Sequence, residues 1–211
     1  MNAVSDDFEK YCLAVSDEVP AILTELDEYT HAHHHGAGML SGAYQGRLLA
    51  MISRMLRPKV VVEIGTYTGY SALCFAEGLA DDGIIHSYEI DERLKDTHEK
   101  FIGRSKYKDQ IRIHFGDAKM LLPQLNEEPD LVFIDGAKKD YAAIFDMMLP
   151  KLKSGSVILA DNVLWKGLVL ESSTDDRTQA IKDFNTKVSE CDEVYKFLLP
   201  VRDGLLWITK K

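Results

Sequence analysis

Three oxygen-bearing side chains carry the first hint of chemistry. Val132-Phe133-Ile134-Asp135 and Val157-Ile158-Leu159-Ala160-Asp161-Asn162 are short apolar runs that each stop on polar oxygen donors. If the runs are neighbouring parallel strands, Asp135, Asp161 and Asn162 converge at one edge of a sheet, which is where open α/β sheets bind ligands. Two carboxylates and an amide oxygen suit a hard cation such as Mg²⁺ or Ca²⁺ rather than a thiophilic metal. The competing reading makes the two aspartates strand-end helix caps and Asn162 a turn residue.

A second acidic strand end lies upstream. Glu63-Ile64-Gly65-Thr66-Tyr67-Thr68-Gly69-Tyr70-Ser71 follows an apolar run and opens a helix. Its glycines permit a tight turn and close backbone approach to a ligand. The loop is neither GxGxxG nor a P-loop with its Lys-Ser/Thr. Glu63 would repel a pyrophosphate and attract an ammonium group, which counts against a dinucleotide-dependent oxidoreductase. Glu89 ends the next apolar run, where a carboxylate accepts both hydroxyls of a ribose. Gly116-Asp117-Ala118, after a third run, is placed to frame an adenine. Together these features suggest an adenosine carrying an amino-acid tail. A glycine turn with solvent-facing acids is the plainer alternative.

The elements that must position these groups follow from the pattern. Strand candidates are 59–64, 84–89, 110–115, 130–134 and 156–160, alternating with helix-sized segments near 69–80, 92–104, 118–125 and 140–149. Repeated βα units argue for a parallel sheet covered on both faces, with right-handed crossovers putting every strand C-terminus on one edge. A helix near 175–190 follows. Val194–Leu199 and Leu205–Thr209, split by Pro200-Val201-Arg202-Asp203-Gly204, read as two terminal strands joined by a tight turn. Ahead of this core, residues 6–15 and 17–30 read as helices, with Ser16-Asp17-Glu18 as a helix start. Ala43 to Leu56 reads as a helix ended by Pro58, with Leu48, Leu49, Ile52, Met55 and Leu56 at helical spacing. The expected organisation is one domain over 1–211, with an N-terminal helical section at 1–57 and a cofactor-binding core at 58–211.

The 211 residues suffice for a sizeable core. A net charge of -9 argues against a broad electrostatic grip on nucleic acid or an anionic membrane. No apolar run is long enough to span a bilayer, and the acidic start, Met1 to Asp7, lacks a signal-peptide pattern. Cys12, Cys74 and Cys191 form no CxxC pair, fit a reducing cytoplasm, and are read as small buried apolar side chains.

EIGTYTGYSAL (63–73), FIDGAKKDY (133–141), DNVLWKG (161–167) and LPVRDGL (199–205), occurring in that order, carry a resemblance. The chain resembles the S-adenosylmethionine-dependent O-methyltransferases of the catechol and caffeoyl-CoA type, from about Met39 to its end. The resemblance implies a Rossmann-like class I methyltransferase fold: α/β, with a seven-stranded, mainly parallel sheet, an antiparallel C-terminal strand and extra N-terminal helices. It implies S-adenosylmethionine at Ser41, Glu63, Gly65, Thr66, Ser71, Glu89, Ala118 and Asp135. It implies a divalent metal, Mg²⁺ above all, with Ca²⁺ or Mn²⁺ as alternatives, at Asp135, Asp161 and Asn162. Lys138 matches the family's general base; a solvated lysine beside Lys139 is the alternative. Lys166 and Arg202 fall on the substrate side, and a homodimer is implied. One departure stands out. The family usually shows Asp-Ala-Asp-Lys, and this chain shows Asp135-Gly136-Ala137-Lys138, which removes a cofactor-side carboxylate.

The expected reaction is methyl transfer to one of two vicinal hydroxyls on a phenolic small molecule. The alternative is methylation of a hydroxylated wobble uridine in tRNA, which a basic strip through Lys138, Lys139, Lys166 and Arg202 would favour. A binding protein with a decayed site is disfavoured, because all three metal oxygens and Lys138 are retained. His31, His33, His34 and His35 lack a completing carboxylate or cysteine, so His31–Gly38 reads as an exposed polar loop rather than a metal site. It is also positioned to close over a substrate.

Overall fold

The computed structural model describes residues 6–172 and 175–211. β1 (Val60–Ile64), β2 (Ile84–Glu89), β3 (Ile111–Phe115), β4 (Leu131–Ile134), β5 (Val157–Ala160), β6 (Val194–Leu199) and β7 (Leu205–Lys210) form one sheet in the order β3-β2-β1-β4-β5-β7-β6. β1 to β5 pair parallel, and β7 runs antiparallel to both of its neighbours. The expected sheet, with its antiparallel ending, is therefore present.

The central strands are apolar throughout because both of their faces are covered. Alternate residues divide between two cores. Val61, Phe133 and Leu159 face α2 (Ala21–His33), α3 (Gly42–Leu56), α4 (Tyr70–Ala76) and α5 (Lys95–Phe101), meeting Leu26, Leu49, Phe75 and Phe101. Val62, Val132 and Ile158 face α7 (Tyr141–Met148) and α8 (Asp176–Glu190), meeting Ile144, Phe145 and Phe184. Each such fully buried side chain contributes roughly 1.5–3 kcal/mol before the entropy of ordering is subtracted.

The N-terminal section departs from expectation in detail. α1 (Asp6–Ala14) forms, but the next helix starts at Ala21 rather than at Ser16-Asp17-Glu18. Pro20 is the reason: inside a helix it would remove a hydrogen bond and clash with the preceding turn. Its carbonyl instead accepts the Leu23 and Thr24 N–H groups. α2 then runs on through His33, so His31 and His33 are helical, not loop residues. α3 stops at Leu56 because Arg57 takes a left-handed conformation ahead of Pro58. Met55, expected on the buried stripe of α3, is exposed. Of the cysteines only Cys74 is buried; Cys12 and Cys191 are half-buried.

Histidines in the core give the fold an acid limit. His86, on β2, is 4% exposed and bonds His114 of β3 at 2.9 Å between Nδ1 and Nε2, with Arg112 and Glu127 nearby. Burial holds His86, His98 and His114 below the usual 6.5. The unfolded chain therefore binds more protons than the folded one below that pH. The stabilising contribution is complete above 6.5 and is lost as pH falls through the folded values. The melting temperature of wild type should fall more steeply between pH 7 and pH 5 than that of His86→Phe; equal slopes would place the protonation elsewhere.

Candidate active site

The sheet edge at the C-termini of β1 and β4 is where the crossovers change direction, and a cavity of about 840 Å³ opens there. Gly65 lies at its floor with φ +87°, and a Cβ built on it would stand 2.6 Å from the Asp135 carbonyl oxygen. Only glycine allows the β1 loop to pass this close to the β4 loop. Ser41, Gly65, Thr66, Ser71, Glu89 and Ala118 all line the cavity, as expected from the sequence. Glu63 does not: it is fully buried beneath the loop, with Ser87 Oγ donating to its Oε2 at 2.6 Å. Burial pushes the Glu63 carboxyl up, while the nearby Ser71, Ser87 and Thr66 hydroxyls favour its charged form. Thr66 and Ser71 stand on the cavity wall beside this carboxyl, so Glu63 acts on a cationic ligand through its field rather than by contact.

Glu89 is held by its own loop. Its Oε2 accepts the Tyr67 N–H at 2.8 Å and its Oε1 accepts the Asp91 N–H at 2.9 Å. Burial raises its pKa, and those backbone donors oppose the rise. Each oxygen keeps a lone pair for a further donor, as a ribose would need. Ala118 opens α6 (Ala118–Leu121), whose N-cap Asp117 accepts the Lys119 N–H.

Asp135 and Asp161 meet because β4 and β5 pair in register. Ile134 lies opposite Ala160, so the residues that follow both leave the sheet together, and the Asp161 N–H donates to the Ile134 carbonyl. Asn162 takes a left-handed φ of 58°, which asparagine tolerates, and turns back so that its N–H reaches Asp161 Oδ1 at 2.8 Å. Asp135, Asp161 and Asn162 therefore all line the same cavity, and Lys138 Nζ bonds two of them. Burial, reinforced by the Asp161 charge, raises the Asp135 pKa, and burial likewise raises that of Asp161. Two desolvated carboxylates side by side need positive charge. The donor set fits a hard divalent cation, although among the described residues no group of three or more His, Cys, Asp or Glu is placed to hold a metal; here the third oxygen belongs to an amide.

Lys138 is the cation present. Its Nζ donates to Asp135 Oδ1 at 3.1 Å, to Asn162 Oδ1 at 2.6 Å and to the Tyr141 hydroxyl at 2.6 Å. It is no solvated surface lysine. Tyr141 donates onward to the Asp161 carbonyl at 3.0 Å, and burial pushes its phenol well above the usual 10. Sequence reasoning passed over Tyr141, although its place three residues after Lys138 sets both on one helical face.

The outer wall is aromatic and strained. Trp165 and Lys166 line it at φ 48° and 56°, ahead of Gly167 at 83°. This run is pinned to the turn before β7: the Leu164 N–H donates to the Asp203 carbonyl, and a Cβ on Gly204 would stand 2.5 Å from Leu164 Cγ. Arg202 does more than sit at the mouth. Its guanidinium donates to the Leu40 and Ser41 carbonyls and, at 3.0 Å, to Gln45 Oε1. It ties the N-terminal segment over the cavity. Ala137 is exposed on the lining and brings no carboxylate there.

The histidines form no centre. His31 Nδ1 meets Asp27, His33 stacks on Tyr29, and His34 Nε2 bonds Thr97 Oγ1 at 2.8 Å. Among the described residues no helix is long and apolar enough to cross a membrane.

The comparisons agree with this geometry. A family model described as O-methyltransferase matches residues 13–211. A catechol O-methyltransferase from Niastella koreensis is 35% identical over 146 residues, covering 67% of this chain and 66% of its own. Caffeoyl-CoA O-methyltransferase 1 from Zea mays is 32% identical over 216 residues, covering 95% and 83%. Among solved structures, the SAH-bound methyltransferase of Podospora anserina superposes with a TM-score of 0.90 at 29% identity, covering 98% of this chain and 94% of that one. An O-methyltransferase from Bacillus cereus in complex with SAH gives 0.88 at 27% identity, covering 97% of each. The sheet order, the glycine floor beneath the cavity and a match over nearly the whole length place the chain in the O-methyltransferase family.

Proposed function

We propose that the enzyme transfers the methyl group of S-adenosylmethionine to one of two adjacent hydroxyls on a phenolic small molecule, with a divalent cation held by Asp135, Asp161 and Asn162. The observation that carries this reading is the meeting of those three hard oxygens in the same cavity as Gly65 and Glu89. S-adenosylmethionine supplies an electrophilic methyl group on a sulfonium. Neighbours solved with SAH, the demethylated product, support the choice of cofactor. Thr66 on the wall and the field of Glu63 beneath it favour the cofactor's ammonium, Glu89 accepts its ribose hydroxyls, and Ala118 leaves room beside its adenine. The cation, Mg²⁺ or the similarly hard Ca²⁺ or Mn²⁺, supplies Lewis acidity that makes a chelating hydroxyl easier to deprotonate.

This chain's residues do the rest. Trp165 offers a flat wall to an aryl ring. Asn162 and Asp161, fixed by the β5 register, orient the two hydroxyls toward the cofactor side, a proximity effect. Lys138 Nζ, beside Asn162 and Tyr141, is placed as the general base for the attacking hydroxyl. The Arg202 tie keeps Leu40 and Ser41 over the cavity and limits water. No observation favours the tRNA reading. Lys138 and Arg202, half of the basic strip it would need, are engaged inside the protein.

Labelled S-adenosylmethionine, a panel of dihydroxyphenols and either Mg²⁺ or EDTA test the proposal. The expected result is transfer to vicinal diols alone, lost in EDTA and restored by excess Mg²⁺. Equal transfer to single-hydroxyl phenols, indifferent to EDTA, would overturn the chelate.

A further inference from the structure

Lys138 Nζ carries three protons, and three acceptors take them: Asp135 Oδ1 at 3.1 Å, Asn162 Oδ1 at 2.6 Å and Tyr141 Oη at 2.6 Å. Two of these acceptors are candidate metal ligands. The third is not. Tyr141 is 0% exposed, its ring stands edge-on to Phe184 at 5.4 Å, and its own proton is fixed on the Asp161 carbonyl. Its hydroxyl oxygen is therefore rigid and turned to accept from Lys138. An ammonium and a divalent cation cannot both sit within bonding distance of the same two oxygens, because their mutual repulsion in a desolvated site is large.

We propose that Lys138 is the resident counter-cation of this oxygen cluster in the metal-free protein, and that Tyr141 is its holding post: an entering divalent cation displaces the ammonium from Asp135 and Asn162, while Tyr141 keeps it beside the site. The inference rests on the divalent-cation reading above. It gives the neighbouring Asp135 and Asp161 carboxylates a counter-charge, since a largely desolvated pair without one is strongly unfavourable. It also gives Tyr141 a use. The flexible lysine stem allows the shift, and the rigid phenol limits it. Tyr141 is thus a positioning residue, acting through Lys138.

The test is calorimetric titration of Mg²⁺ into the full-length, cofactor-free protein. Replacing Lys138 by methionine removes the competing charge, so Mg²⁺ should bind about tenfold tighter. Tyr141→Phe keeps the ring packing but removes the post, so the ammonium stays on the ligands and Mg²⁺ should bind about threefold weaker. In the double variant the Tyr141 effect should vanish, leaving the affinity of Lys138→Met; a structural role for Tyr141 would persist there. Lys138→Gln serves as a second uncharged variant should the methionine misfold, with Mg²⁺-induced shifts in melting temperature as a parallel readout. Equal affinity in wild type and both uncharged variants would overturn the displacement while leaving the metal site standing. Absence of Mg²⁺ binding in every variant would overturn the metal reading and this inference with it.

Discussion

Asp161→Asn is expected to lower kcat by about 10²- to 10³-fold while leaving the affinity for S-adenosylmethionine within a few-fold of wild type. The substitution keeps the side-chain volume at a site only 2% exposed. It removes one of the two formal charges that would hold the cation, and it does so away from the Glu63 and Glu89 end of the cavity. Stability should not suffer. Burial already raises the Asp161 pKa, so a neutral amide relieves a desolvated charge, and the melting temperature of the ligand-free variant should equal or exceed that of wild type. Loss of activity with gain of stability is the signature of a functional carboxylate. A helix cap would show the reverse: a turnover reduced less than tenfold and a lowered melting temperature. Steady-state kinetics, cofactor titration and a thermal melt on one preparation separate the two.

The second large effect is expected at Gly65. Alanine there must adopt φ +87° and must also push the Asp135 carbonyl away from a 2.6 Å approach. The first costs about 1–3 kcal/mol of backbone strain. The second moves the β4 loop that carries Asp135. Cofactor affinity should therefore fall about 100-fold or more, since roughly 2.7 kcal/mol of misfit at the floor suffices for that loss. Cofactor binding followed by tryptophan fluorescence or calorimetry checks it. A Gly65→Ala protein that binds S-adenosylmethionine normally would show that the loop tolerates a wider gap, and that the cofactor does not rest on this floor.

The legible parts of this protein are those in which local pattern and tertiary outcome share one cause. The unbroken apolar runs of β4 and β5 mark a sheet covered on both faces, and the acids that follow them mark its working edge. The antiparallel end was visible in the two β-like runs around Arg202-Asp203-Gly204. What escaped depended on contacts distant in sequence or on backbone detail. Nothing local distinguishes Glu63 as a residue beneath the cavity rather than in its wall; its burial is set by Ser87 on the neighbouring strand. The start of α2 is set by Pro20, which overrides the local capping pattern of Ser16-Asp17. Arg202 reads only as a substrate-side charge in the sequence because its partners, Leu40, Ser41 and Gln45, lie some 160 positions earlier. Tyr141 was hidden by its own type, since a buried tyrosine in a helix reads as core until its hydroxyl is followed.

The Arg202 tie also sets an order of events during biosynthesis. The roof of the cavity, Leu40 and Ser41, is made some 160 residues before the guanidinium that fastens it. A contact between positions so far apart closes a very large loop, and such contacts reward the chain only after the intervening structure has formed. A nascent chain lacking the final hairpin thus has the glycine floor and the β4 and β5 acids, but an unfastened roof. The means to close over the cofactor arrives with the turn between β6 and β7, so a chain cut short before that turn carries the site's residues with the roof unfastened.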